Sequence, residues 1–401
     1  KYIICNADEG DPGAFMDRML IESFPYRLIE GILIASHIVK ANKAIIYLRE
    51  EYAKANHIIN KTLKICREKQ IFKKINKDFD ITVFKGAGAF VCGEETSLIA
   101  SIEGERGIPR ARPPYPVEQG LFKNPTLINN VETLCTIPWL ILNPVKDFTN
   151  IGNDKSTGTK TFALAGKVQR SGLIEVPMGI TINDIIYNIA GGPLKDRTIK
   201  AVQIGGPSGG CIPADMFDLK IDFDSLNKSG AIMGSGGLVV LDDTDCMVDM
   251  ALYFVKFAVL ESCGKCTFCR IGLLRMTEIL ELICSGKAKE KDLAELENLC
   301  NKIKLGSFCG LGKTAPNPVL TTLKYFKQEY IEHIKGKCPA RNCRELIHYK
   351  ITDRCIGCTK CAQNCSADAI KFRPYEKHEI DQGKCVKCGV CEMVCPRNAV
   401  E

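Results

Sequence analysis

The sequence predicts a chain of four parts: an α/β domain on a parallel sheet, a small α+β unit of the β-grasp type, a four-helix region, and a short tail with almost no apolar core. Three observations predict it. Strand-like and helix-like patterns alternate over residues 1–150, the order that builds a parallel sheet. Several strand patterns and one helical pattern share residues 158–245, and longer helical patterns fill 246–345. Cysteine, 22 residues of 401, is scarce before residue 240 and crowded after it, most of all in 346–401.

Composition sets the outer limits. Apolar content of 45% and charged content of 25% are those of an ordinary globular chain. The net charge of +7 is not gathered into one basic block, which argues against nucleic acid as a partner. Apolar runs such as residues 31–39 fall far short of the ~20 residues a membrane helix needs, so no membrane span is expected. The chain starts at Lys1 and enters an apolar run, Tyr2-Ile3-Ile4-Cys5, at once, so the natural N-terminus is expected upstream. A secreted disulfide scaffold would be short and carry cysteine throughout. Here five cysteines precede residue 240 and the rest cluster at metal-type spacings, which points to a reducing cytoplasm and metal-held thiolates.

Taken in order, residues 29–40 and 52–69 read as helices, and 44–49 and 81–85 as strands. The last strand runs into Gly86-Ala87-Gly88-Ala89-Phe90-Val91-Cys92-Gly93-Glu94-Glu95, a glycine-rich turn before a helix start. Such a turn is the usual seat of a nucleotide or flavin phosphate in a parallel sheet, although most turns of this kind are only turns. Residues 146–160, rich in Asn, Gly and Thr, read as a linker. Strands follow at 161–166, 172–177 and 199–204, with a helix at 182–190. The run Gly205–Gly210 lacks a following Lys-Ser/Thr and reads as tight turns rather than an anion cradle. Helices are expected at 248–260, 273–283, 291–303 and 321–334.

The cysteines carry the chemistry. Cys263, Cys266 and Cys269 have C-x2-C-x2-C spacing, and Cys309 follows at a distance. One loop supplying three thiolates and a remote fourth is how a chain wraps a four-iron cube. Structural zinc is the alternative, but it favours two C-x2-C pairs over a tight trio. In the tail, Cys355-x2-Cys358-x2-Cys361-x3-Cys365 is repeated as Cys385-x2-Cys388-x2-Cys391-x3-Cys395-Pro396. This is the two-cluster bacterial ferredoxin pattern, in which the fourth cysteine of each run serves the other cluster. One cube is therefore expected on Cys355, Cys358, Cys361 and Cys395, the other on Cys385, Cys388, Cys391 and Cys365. Ser366 replaces the proline that usually ends the first run, without loss of a ligand. His333, Cys338 and Cys343 form a further H-x4-C-x4-C set, and Cys246 is the candidate fourth ligand for a zinc ion. The alternative there is reduced thiols and an ordinary histidine.

Cys5–Ala14, Gly86–Thr96, Asn129-Asn130-Val131-Glu132-Thr133 and Glu261–Arg270 together resemble the NADH-binding flavoprotein (51 kDa-type) subunit of respiratory complex I, over essentially the whole chain. The run Cys309–Pro318 and the appended ferredoxin unit bring the resemblance closest to the flavin-bearing beta subunit of NAD-dependent, electron-bifurcating [FeFe]-hydrogenases. The resemblance implies an FMN site on Asn6, Asp8, Glu9, Phe90, Gly93, Glu94, Glu95, Asn129, Asn130 and Thr133. It also implies a nicotinamide nucleotide site involving Glu95, Arg112 and Tyr115. Phe90 stands where complex I has tyrosine, and the family's flavin-phosphate loop is expected upstream of Lys1, so residues 1–401 alone are expected to bind FMN weakly. At the four candidate zinc positions the hydrogenase-type relatives resemble this chain too.

These readings imply a flavoprotein carrying FMN, NAD(H), three [4Fe-4S] clusters and a zinc ion. The flavin mediates because nicotinamide gives two electrons and a cube accepts one. No side-chain acid or base is needed, so no catalytic residue is expected. Expected partners are the other subunits of a hydrogenase-type complex, among them a [2Fe-2S] thioredoxin-like subunit and a catalytic subunit, with soluble ferredoxin at the tail. A cluster-only electron wire with an inactive flavin site, and a metal-stapled scaffold without redox function, are the rival readings.

Overall fold

The apolar run that opens the chain is a strand, β1 (Tyr2–Ala7), and it lies inside the first sheet. A computed structural model describes residues 1–75 and 77–401. In it β2 (Lys43–Leu48) and β3 (Asp80–Lys85) lie to one side of β1, and β4 (Thr126–Asn130) to the other. Every neighbouring pair is parallel. Alternate residues of β1 face opposite sides. Ile3 packs with Leu28, Ile32, Ile59 and Leu63 of the helices on one face, and Ile4 packs with Tyr47, Leu98 and Leu121 on the other. The chain leaves β1 toward β2 and β3 and returns to β1's other edge as β4. That reversal of order opens a crevice at the carboxyl ends of β1 and β4, where ligands sit in open α/β sheets.

Helices α1 (Met16–Ser23), α2 (Pro25–Val39) and α3 (Ala53–Glu68) precede α4 (Glu95–Ile102), the short α5 (Pro116–Gln119) and α6 (Val131–Leu142). α2 begins on a proline and ends where Lys40 turns left-handed (φ 56°), a start and stop that the sequence pattern places late by several residues at the N-terminal end. Pro138 lies inside α6. Having no N–H, it frees the Leu134 carbonyl, which abuts Gly31 of α2 so closely that a Cβ there would lie 1.9 Å from its oxygen.

Residues 146–160 are not a linker. They hold α7 (Val145–Thr149) and a hairpin, β5 (Gly152–Asn153) with β6 (Ser156–Thr157). Their Asn and Gly content is turn chemistry. Gly152 and Gly158 take positive φ, and the Asn153 side chain accepts from the N–H groups of Lys155 and Ser156. Asn153 also donates to Asp222, which ties the hairpin to the second sheet.

That sheet has β7 (Thr159–Gly166), β8 (Gly172–Pro177), β9 (Ile199–Ile204), β10 (Gly210–Pro213) and β11 (Gly237–Asp242) in the order β10-β9-β11-β7-β8. β11 and β7 run parallel in the middle, and the other neighbours are antiparallel. The expected helix between the hairpins is wound wide over Asp184–Ile189, with Ala190 donating to Ile185, and it buries Ile185 and Ile186 on the sheet. Helix α8 (Phe223–Ser229) is capped by Asp222. Glu132 of α6 joins the two sheets by accepting from the Thr161 N–H at 2.7 Å and from Lys160 at 2.5 Å.

Next come α9 (Met247–Leu260), α10 (Thr267–Cys284), α11 (Glu290–Gly306), α12 (Gly310–Thr314), α13 (Asn317–Tyr325) and α14 (Lys327–Ile334). The single helix expected over 321–334 is two. Phe326 leaves helical backbone because its ring packs against Ala201, Cys211, Leu241 and Met247, so tertiary packing overrides the local pattern. The tail holds only the one-turn helices α15 (Lys360–Gln363) and α16 (Val390–Met393) and two strand-like bridges, Ile351 with Val400 and Ile370 with Ile380. No helix among the described residues is long and apolar enough to cross a membrane.

Candidate functional site

A cleft of about 410 Å³ opens at the carboxyl ends of β1 and β4, where the sheet order reverses. Asn6, Asp8, Glu9, Phe90, Gly93, Glu94 and Asn130 line it, and so does Cys309 from the far side. Residues predicted for a flavin thus share one space with a predicted cluster cysteine.

The individual groups differ in what they have free. Asp8 is 6% exposed, and neither of its carboxylate oxygens has a hydrogen-bond partner. Burial pushes its pKa up to about 7, with Arg49 pulling it down and Glu51 and Glu261 adding to the rise. The Asn6 side chain donates to the Gly93 carbonyl at 2.9 Å and accepts from the Asp8 N–H, which pins the strand end to the glycine turn. Glu9 lines the cleft with a carboxylate that is already engaged. Its carboxylate accepts from the Asp17 and Arg18 N–H groups at the start of α1, and from the Tyr52 hydroxyl at 3.0 Å. Glu94 caps α4 by accepting from the N–H groups of Thr96 and Ser97. Asn130 caps α6 and donates to buried Asp17 at 2.7 Å. Burial raises the Asp17 and Glu9 carboxyls, and the Glu9 charge beside Asp17 adds to Asp17's rise.

Glu95, Arg112 and Tyr115 form a separate group outside this cleft. Arg112 is ion-paired to Glu95, and its guanidinium lies 5.9 Å from the Tyr115 ring centroid. Asn129, at the end of β4, and exposed Thr133 do not line the cleft. Phe90 packs edge-on against Phe257 of α9, and its N–H donates to Glu261 at 2.9 Å. Two more bonds seat the cysteine loop on the first sheet domain, Arg106 donating to the Cys263 carbonyl and Lys265 to that of Pro109, and within the loop Ser262 meets Cys269 sulfur at 3.3 Å. Cys309 sits at the start of α12, where burial raises its thiol while the N–H groups of Gly312 and Leu311 pull it down.

In the tail, one pocket is lined by Cys355, Cys358, Cys361 and Cys395, and a second by Cys365, Cys385, Cys388 and Cys391. Each pocket takes three cysteines from one repeat and one from the other. A last group joins the two ends of the helical region. The ligand atoms of Cys246, His333, Cys338 and Cys343 all lie within 4.8 Å of one another, and all four residues are buried. Cys246 sulfur is 3.2 Å from His333 Nε2 and 3.8 Å from Cys343 sulfur. The Cys338 thiol is held well below the ordinary range by hydrogen bonds from Cys246 and Cys343. Burial would lower the His333 pKa, yet hydrogen bonds with Cys246 and Cys338 push it up to about 10.

The sequence pattern did not single out Asp11, Asp17 or Ser235, which also line the cleft, although four acids within ten residues of the opening strand were a visible signal. It also missed Cys284, which lies with Asp249 beside Cys343. Nothing in the spacing marks that one.

A switch-point cleft that ends on a cluster cysteine, followed by thiolate pockets, defines a class: soft-ligand redox proteins that couple a bound organic cofactor to metal clusters. Three family matches agree in order along the chain. They are the Nuo51 FMN-binding domain at residues 1–139, the NADH-ubiquinone oxidoreductase-F iron-sulfur binding region at 249–333, and the 4Fe-4S dicluster domain at 350–401. The chain is 46% identical to the NADP-reducing hydrogenase subunit HndC of Solidesulfovibrio fructosivorans, over 94% of its own length and 78% of that protein's. It is 41% identical to the F 2 subunit of the NADH-quinone oxidoreductase of Rhizobium meliloti (strain 1021), over 84% of its length and 82% of that protein's. The crystal structure of NAD+-reducing [NiFe]-hydrogenase in the H2-reduced state superposes with a TM-score of 0.77 at 36% identity, over 83% of this chain; the chain spans 56% of that hydrogenase chain. The chain belongs to the family of F-type NADH-quinone oxidoreductase subunits, the FMN- and iron–sulfur-bearing NADH oxidoreductase components.

Proposed function

We propose that the chain is the electron-entry subunit of a hydrogenase-type complex, moving electrons between NAD(H), FMN and three [4Fe-4S] clusters. The observation that carries this reading is the shared cleft, with Asp8 on one wall and Cys309 on the other. The residues fit the groups. Asp8 is a buried acceptor pair without a donor, which a flavin ring N–H would supply. Each cluster site offers four cysteine sulfurs and no hard ligand.

Bound FMN would supply the exchange between a two-electron donor and one-electron acceptors. The chain's own part is positional. Asn6 holds the glycine turn against β1, Phe90 lines the cleft and is braced by Phe257, and Glu94 and Asn130 set the first turns of α4 and α6. Glu95, Arg112 and Tyr115 would take the nicotinamide nucleotide, with Asn129 and Thr133 nearer the flavin's edge. Cys263, Cys266, Cys269 and Cys309 would hold the first cube, and the two tail pockets the others. Cys246, His333, Cys338 and Cys343 would hold zinc. The spacings among Cys246, His333 and Cys343, 3.2–3.8 Å, are close to the edges of a tetrahedron with bonds of ~2.0–2.3 Å, and Cys338 lies within reach of the same centre.

On this reading the second sheet is a β-grasp, since two parallel central strands are flanked by antiparallel hairpins. α9, α10, α11 and the α13–α14 pair form the four-helix region, and the division is 1–150, 158–245, 246–345 and 346–401. The partners are a [2Fe-2S] subunit and a catalytic subunit, the compartment is the cytoplasm, and the tail offers electrons to a soluble ferredoxin.

The test is the anaerobically loaded protein. It should carry about twelve iron and twelve sulfide per chain, and with FMN supplied the flavin should bleach with NADH. Cys309→Ser should lose one cube, keep the tail pair, and break electron flow from bleached flavin to the tail. Eight or fewer irons in the fully loaded wild type, or unimpaired flow in Cys309→Ser, would overturn the reading.

A further inference from the structure

The two halves of the tail are related by sequence repeat, yet their pockets differ in one wall. The pocket of Cys355, Cys358, Cys361 and Cys395 is lined by His378, and that of Cys365, Cys385, Cys388 and Cys391 by Tyr349. The two aromatic residues are structural counterparts. Tyr349 stands two residues before Ile351, which bridges to Val400, and His378 stands two before Ile380, which bridges to Ile370. The cysteine repeat hides this pairing, because the thirty-residue offset that superposes Cys355 on Cys385 sets His378 against His348, which is exposed.

The counterparts do different things. His378 is 2% exposed, with Nδ1 3.7 Å from Cys355 sulfur. Its other nitrogen, Nε2, is buried without any hydrogen-bond partner. A polar ring drawn into an apolar pocket with one nitrogen unpartnered costs stability unless the other bond matters. A cluster-bound cysteine sulfur can only accept, so Nδ1 must carry the proton. Tyr349 brings no such donor. Its ring lies under the Arg341 guanidinium at 5.4 Å, and among the described residues its hydroxyl has no hydrogen bond to a cysteine sulfur.

We propose that His378 makes the two tail clusters inequivalent, by donating Nδ1–H to Cys355 sulfur and so raising the reduction potential of the cube on Cys355, Cys358, Cys361 and Cys395 and not that of its neighbour. A donor to a ligand sulfur withdraws electron density and favours the reduced cluster, which carries one more negative charge. His378 is a positioning residue, acting on the cluster through its ligand. The two cubes, whose ligand sets are identical, would then be tuned separately. The proposal rests on the assignment of the tail cubes above.

The experiment uses the whole anaerobically loaded chain, with iron and sulfide assays and EPR-monitored redox titration. The assays report on the cube assignment and the titration on the donor. His378→Leu should keep its iron and lower one tail potential while the other stays. His378→Asn, which retains an N–H donor, should restore much of the loss. Tyr349→His should raise the other tail potential. Unmoved potentials, or an equal shift of both, in iron-complete His378→Leu would overturn the proposal. Should His378→Leu lose iron, Tyr349→His decides: a raised potential supports the donor mechanism and an unchanged one overturns it. A wild-type tail lacking iron and sulfide would overturn the cube assignment and the proposal with it.

Discussion

Asp8 shows how one residue records both the fold and its use. It follows a strand whose residues are otherwise mostly apolar, so the sheet carries a carboxylate into a place where it has no partner. Its ordinary pKa of 3.8 rises to about 7 in the folded chain. Between those values the folded chain keeps a proton that the unfolded chain has lost, so stability falls as pH rises through the window. In the flavin-free protein, Asp8→Asn should therefore be relatively more stable at high pH, its advantage over wild type growing by about 1 kcal/mol from pH 6 to pH 8.5. Denaturant midpoints at the two pH values measure this. An advantage that does not change with pH would mean that Asp8 is ionised throughout. At the same scale the sequence misleads as easily as it informs. Asn6, Glu9, Glu94 and Asn130 were picked out by the motif and line the cleft, but a motif carries no orientation. Glu9, Glu94 and Asn130 spend side-chain oxygens on helix N-termini, where free N–H groups compete for any nearby acceptor.

Elements were legible where local pattern and tertiary demand agree. β2, β3, β8 and β9 fall where alternation places them, and α9, α10 and α11 where the apolar period does. β1 and β4, the two strands that make the crevice, were not read as strands: β1 is buried on both faces and shows no alternation, and β4 is a short edge strand that ends in two asparagines. The split of α13 from α14 was invisible for a different reason, since Phe326 is drawn out by the second sheet and not by any breaker in sequence. The contact of α2 with α6 gives an element-scale prediction. Replacing a helix-interior glycine with alanine usually gains ~1 kcal/mol in propensity. At Gly31 the new Cβ would sit 1.9 Å from a backbone carbonyl that cannot turn aside. The clash wins, and Gly31→Ala should destabilise the chain by ~1–3 kcal/mol net as the helices are forced apart. A thermal midpoint equal to or above wild type would contradict this.

At the scale of the molecule, the cysteine–histidine group spans the helical region from entry to exit. Cys246 caps the start of α9, His333 lies in the last turn of α14, and Cys338 and Cys343 lie on the segment leading to the tail. That arrangement was readable as a set of residue types, but the closure of Cys246 on the others depends on α9 and α14 packing side by side. A metal held there would fix the exit segment, whose Lys335 and Lys337 are exposed and otherwise free to be cut. We therefore expect one zinc per chain by elemental analysis and slow tryptic cleavage between the helical region and the tail. Stripping the metal with a chelator, or Cys343→Ser, should speed that cleavage on the order of tenfold or more, because metal binding stabilises a closed loop by several kcal/mol. The released tail should keep its iron, since none of its eight cysteines belongs to the group. Equal cleavage rates with and without metal would show that packing alone, and not a metal staple, holds the tail to the rest of the chain.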